Sequence, residues 1–240
     1  MEMRTHAAFG LGLMLALGMV VSSFILGKAL IDFKSVDRNV AVKGLAEMEV
    51  AADLVIWPLT FEDADNDLKV LNKRIGKKRE IIAGFLAEAK IDKDEISYPP
   101  PKMVDFQSTR YAGDNRHRDL RYQARVTVAV RSEKVEQVRL LMQQTGKLVE
   151  QGIVIVEADY QNRIEFLFTK LNEIKPGMIE QATKSARESA EKFAKDSGSK
   201  VGKIRRASQG LFSINDRDNN SPHRKKVRVV TTVNYYLIDE

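Results

Sequence analysis

An apolar run, AAFGLGLMLALGMVVSSFILG, carries no charged side chain for 21 positions from Ala7 to Gly27, and any fold must find it a place away from water. As a helix, about 20 such residues cross a hydrocarbon core of ~30 Å. Secretory signals usually have a shorter apolar region of roughly 7 to 15 residues and a small-x-small cleavage site, and no clean A-x-A follows this run. It reads as an uncleaved signal anchor, with a cleaved signal as the alternative. Residues 1–30 are the anchor or signal segment, 31–38 a linker, and 39–240 the folded part. Arg4 and the α-amine precede the span, whereas Lys28, Lys34 and Arg38 follow it. Taken literally, this puts the C-terminal part in the cytoplasm, although long domains translocate largely regardless of charge. Gly10, Gly18 and Gly27 form no strict G-x-x-x-G, so a dimerising span is not supported.

Beyond the linker, the chain is rich enough in apolar residues to bury a core. The 240 residues are 43% hydrophobic and 30% charged, which suits one large or two small domains. In RNVAVKGLAEMEVAADLVIWPLTF, Val40 and Val42, then Met48 and Val50, alternate around Gly44, which predicts two tightly joined strands. Pro58 has no N–H for a ladder, so the second strand is expected to be an edge there or to carry a bulge. Leu68, Leu71, Ile75, Ile82, Phe85 and Leu86 recur at helical spacing, with Asp63 or Asp65 as N-cap. The Pro99–Pro100–Pro101 triplet forces an extended entry into a strand near Met103 to Ser108, followed by a polar loop. In LRYQARVTVAVR, Tyr122, Ala124, Val126, Val128 and Val130 face one way and Arg121, Gln123, Arg125 and Thr127 the other, so one face of that sheet is wet.

A second helix, Glu133 to Thr145, carries Val135, Val138, Leu141 and Met142. IVIVEADY and RIEFLF read as two strands around a turn near Gln161. Beyond Pro176, a third helix aligns Ile179, Ala182, Ala186, Ala190, Phe193 and Ala194, ends at Gly198, and leads into strands near Lys203 to Ile214 and Lys226 to Ile238. Its small alanines would let it lie close on a sheet. The resulting fold class is α+β: two similar strand-strand-helix-strand-strand halves, with helices on one face of antiparallel sheets.

Three stretches together, VAVKGLAEMEVAADLVIWPLTF, ATKSARESAEKFAKDSGSKVGKIRRASQG and KKVRVVTTVNYYLI, resemble the SIMPL-domain family of YggE-like proteins found mostly in bacterial envelopes. The resemblance covers nearly all of Asn39 to Leu237. Its marks are a glycine-centred opening hairpin with Ala52–Asp53, and the helix through Ala186, Ala190 and Ala194 into Gly198 and Gly202. Trp57–Pro58 and Pro176 depart from the pattern. Members are usually exported or anchored, which turns the orientation outward: inner membrane, single-pass, with the C-terminal domain on the periplasmic side. The resemblance brings no catalytic residues, and it implies only loose links to envelope or oxidative stress.

The residues themselves offer little chemistry. The absence of Cys excludes disulfides, thiol nucleophiles and thiolate metal sites. His6, His117 and His223 lie in the N-tail and two polar loops without metal-ligand spacing. The Gly198 to Lys203 segment mimics a phosphate loop with one residue too few between its glycines and Ile204 in place of Ser or Thr, so Gly198 is better read as a helix C-cap. Asp63, Asp65 and Asp67 mimic the start of a calcium loop, but Leu68 stands where Gly is needed and Arg74 where Glu is needed. No catalytic residue, cofactor or metal is therefore expected.

Lys and Arg outnumber Asp and Glu by 39 to 33, with basic clusters in NKRIGKKRE and HRKKVR and at Arg205 and Arg206. No aromatic platform interleaves them, so nucleic acid is not expected, and a patch, if present, suits anionic lipid or an envelope polymer. The function predicted is a non-enzymatic, membrane-anchored envelope protein that interacts, self-associates or assembles through sheet faces and edges. An envelope ligand-binding protein or hydrolase with a site between the halves is the alternative, and a cytoplasmic nucleic-acid binder is a third.

Overall fold

The computed structural model describes residues 12, 14–28, 38–108, 120–156 and 163–239. A first helix, α1 (14–28), covers the described end of the apolar run, and Leu15, Met19, Phe24 and Ile25 are each more than half exposed on it. Among the described residues, no helix is long and apolar enough to cross a membrane. Residues 7–11 and 13 of the predicted span lie outside the described residues.

The rest of the chain divides into two compact units, one holding Met48–Ile174 and Ser213–Val227, the other Lys175–Phe212, Arg228–Glu240 and the residues up to Glu47. In the first, β2 (Leu54–Asp65) pairs antiparallel along its length with β5 (Tyr122–Ser132), placing Trp57 opposite Val130, Leu59 opposite Val128 and Phe61 opposite Val126. Outside β5 lie β3 (Ile96–Ser97) and β4 (Lys102–Asp105), and outside β2 lies β6 (Glu165–Leu167), giving the order β3-β5-β2-β6. One face buries Trp57, Leu59, Phe61, Ala124, Val126 and Val128 beneath α2 (Leu68–Glu88), α3 (Val135–Met142) and α4 (Gly146–Glu150). The other face is polar as predicted: Thr60 meets Thr127 at 3.0 Å, and Glu62 accepts from Arg125 and Gln123 at 2.7 and 2.8 Å.

Helix α2 begins where Asp67 caps it, its carboxylate accepting the Lys69 and Val70 N–H groups at 2.7 and 3.2 Å. Asp63 and Asp65, expected as caps, instead hold Arg74. Leu71, Ile75, Ile82, Phe85 and Leu86 are buried as the spacing demands, while Leu68 in the first turn stays half exposed. Strand β2 is interior to the sheet order, but the last described β6 pair is at Ile56 and Val156 donates to the Thr60 carbonyl, so by the two-residue period Pro58 turns its missing donor toward this side, where among the described residues none pairs with it.

In the other unit, β7 (Ser199–Gln209) and β9 (Arg224–Asp239) pair antiparallel, and β1 (Asn39–Ala51) flanks β9 to give β1-β9-β7. The short β8 (Ser213–Asp216) also pairs with β9, through the part of that strand assigned to the first unit. Helix α5 (Leu171–Asp196) buries Met178, Ala182, Ala186, Ala190 and Ala194. Ala186 and Ala190 pack with Val42, Val233 and Tyr235. Gly198, at φ 65°, follows the helix end as expected.

Several expectations fail here. The predicted halves are not similar repeats, because β1 and β2 do not pair: β1 joins β9, and β2 joins β5 and β6. The turn is Ala52–Asp53, pinned by the Asp53 carboxylate accepting from Thr169 and Lys170, and Gly44 lies mid-strand. Helix α5 starts five residues before Pro176, which sits inside it, and Phe193 leaves the buried stripe at 61% exposure. Of the strand expected in IVIVEADY, the described residues Ile153 to Val156 show a bridge between Phe61 and Ile155, and residues 157–162 lie outside the described residues.

Candidate interaction surface

Strand β7 is unlike the other long strands. Every residue from Lys203 to Gln209 is exposed, on both faces, although four of them pair regularly with β9. The register shifts between Val201 and Ile204 and again between Ile204 and Arg206, then runs regularly from Arg206 opposite Asn234 to Gln209 opposite Thr231. Among the described residues only β9 neighbours β7 in the sheet order, so its outer edge presents backbone groups that no described strand pairs. Arg205 lies over the Tyr236 ring at 5.8 Å, and Ile204 is 48% exposed. Periodicity missed this surface because an alternating pattern signals a half-buried strand, and β7 is exposed on both sides.

The residues singled out from the sequence fall as follows. His6 and His117 lie outside the described residues. The His223 carbonyl accepts from Ala52 N–H at 2.8 Å, and its ring meets Phe166 edge-on at 6.2 Å. Among the described residues, no three His, Asp or Glu side chains are placed to hold a metal ion. The calcium-loop mimic is occupied by cations of the chain itself. Arg74 bonds Asp63 at 2.7 Å and Asp65 at 2.6 Å, and Lys78 reaches Asp63 at 2.9 Å. Burial by itself would raise the Asp63 pKa, but the Arg74 and Lys78 bonds outweigh it and hold this carboxyl below the usual range.

These contacts also use up much of the basic cluster on α2. Arg79 donates to the Pro99 carbonyl at 3.1 Å, which leaves Lys73 and Lys77 on the exposed side. In the second cluster, Lys225 is buried and paired with Asp216, and Arg228 reaches Glu47 at 3.7 Å.

The α3 end of the first unit holds an open cleft of about 750 Å³, lined by Ala51, Ala52, Glu133, Lys134, Glu136, Arg139, His223 and Arg224. Arg139 bonds Glu136 at 2.6 Å and is the main reason that carboxyl titrates below its ordinary value, with His223 and Arg224 adding positive potential. Lys134 is tied to Asp92 and Glu95 at 2.6 and 3.0 Å. The charged groups of the cleft largely satisfy one another, and none is a nucleophile beside a base. The sequence offered no signal for this cleft, since its walls lie far apart along the chain.

The architecture is that of an α+β protein with two antiparallel sheets, each packed on one face against helix. The sequence profile of the SIMPL family, described as a protein of unknown function (DUF541), matches residues 40–233, and the chain belongs to that family. No curated protein matches it.

Proposed function

We propose that this protein is a non-enzymatic SIMPL-domain protein, anchored in the inner membrane by its N-terminal segment, which acts outside that membrane by binding or assembling with other proteins. The observation that carries the reading is β7, a strand exposed on both faces whose outer edge no described strand pairs. Such edges template the addition of another chain, and soluble domains usually blunt or cover them. The exposed apolar side chains of α1 support the anchor, because a helix of that kind needs lipid or a partner to cover it. A role in envelope or oxidative stress is part of the same proposal and rests on the family resemblance.

The test places a photoreactive amino acid at Ala207 in the full chain and irradiates intact cells. A discrete protein adduct is expected from Ala207 and none from Lys184 on the exposed side of α5; equal labelling at both positions, or none at Ala207, removes the reading. A C-terminal reporter active on only one side of the membrane tests the location. Activity on the cytoplasmic side refutes the outward domain.

The second reading is ligand binding. The α3 cleft supports it by its volume, and calorimetry with small anionic metabolites would detect binding that Arg224→Ala removes.

A further inference from the structure

We infer that the outer edge of β7 receives an acidic, extended peptide segment of a partner protein as an added strand. This rests on the protein-interaction reading and names the partner's chemistry. Gly210 N–H donates to the Val230 carbonyl at 2.9 Å, so by the two-residue period Ser208 and Arg206 also turn their backbone groups toward β9. Ala207 and Gln209 therefore turn theirs outward, offering one N–H and one C=O each in a regular stretch of strand.

Both donors and acceptors must be met at strand spacing. A peptide backbone does this, whereas a phosphate backbone supplies acceptors alone. From Lys200 to Phe212 the chain carries no acidic residue, and Lys203 and Arg206 stand exposed on β7, so charge complementarity selects an acidic segment. A second copy of β7 would set these cations against their own kind, which disfavours that occupant. The small exposed Ala207 leaves room beside the edge.

The test uses the full chain in detergent and a fluorescent peptide of about ten residues alternating Glu and Val, read by anisotropy. A peptide alternating Lys and Val, a single-stranded oligonucleotide and vesicles of anionic phospholipid are the comparisons. Ala207→Pro removes one outward N–H while sparing the β9 ladder, a place where an edge strand tolerates proline, and it should weaken acidic-peptide binding about tenfold or more. Lys203→Gln combined with Arg206→Gln leaves the backbone intact and should weaken binding several-fold and flatten its salt dependence. The inference is overturned if the Lys peptide binds as tightly, if the oligonucleotide or vesicles bind and the acidic peptide does not, or if both variants bind like the parent. Adducts from Ala207 in cells without acidic-peptide binding also overturn it, while leaving the interaction reading standing.

Discussion

Gly44 in β1 lies directly beneath Ala186 of α5: a Cβ at position 44 would stand 2.9 Å from the Ala186 Cβ and overlap the Ala182 carbonyl oxygen. Helix and strand touch backbone to backbone here. Gly44→Ala must push α5 off the sheet and is expected to cost about 1–3 kcal/mol, with Gly44→Val costing more. Lys43→Ala, on the exposed side of the same strand, should change stability by no more than about 0.5 kcal/mol. Denaturant unfolding of the three variants measures this, and a harmless Gly44→Val would disprove the close approach.

The same seam continues at Ala190, buried against Val42, Val233 and Tyr235. Ala190→Leu overpacks it and should cost on the order of 1–3 kcal/mol. Lys184→Leu, on the exposed side, should stay within about 0.5 kcal/mol. Equal midpoints for the two would show that α5 does not bury its alanine stripe.

Asp63 gives a pH signature. Its folded-state pKa is depressed, so the stability it contributes is fully present above the ordinary aspartate value of about 3.9 and is lost as pH falls through the lower folded value. Asp63→Asn should destabilise the protein by about 1–3 kcal/mol at pH 7, and the gap to the parent should close below pH ~3.9. A gap that stays constant from pH 7 to pH 2.5 would mean that the Arg74 and Lys78 bonds add nothing ionic.

At the other end of the chain, the apolar run should survive in the mature protein. Intact mass of the membrane-extracted protein is expected to include residues 1–30, and loss of the first ~20 to 30 residues would replace the anchor with a cleaved signal.

What could be read from the sequence was local. Alternation in β5 gave the face that carries Val126 and Val128, and helical spacing placed Leu71 and Ile75 in the core, because side-chain periodicity depends only on neighbours in the chain. Pairing was not legible. The same alternation fits a β1–β2 hairpin and the β1–β9 pairing that forms, and the choice depends on Gly44 meeting a helix about 140 residues away. Asp67 displaced Asp63 as the cap because Arg74, in the second turn of α2, claims the two earlier carboxylates. The open edge of β7 was hidden for a different reason: exposure on both faces leaves no hydrophobic period to detect.

The partnership of β1 with β9 sets the order in which this molecule is made. Strand β1 waits for β9, made far later, with Leu237 N–H donating to the Arg38 carbonyl at 2.9 Å. Contacts this distant in sequence carry a large loop-closure cost and form late. Until the ribosome has added residues 224–239, the unit built on β1 and α5 lacks its central strand, so its sheet cannot close before β9 is made. A chain that passes through a membrane unfolded would meet no prematurely closed sheet in its path.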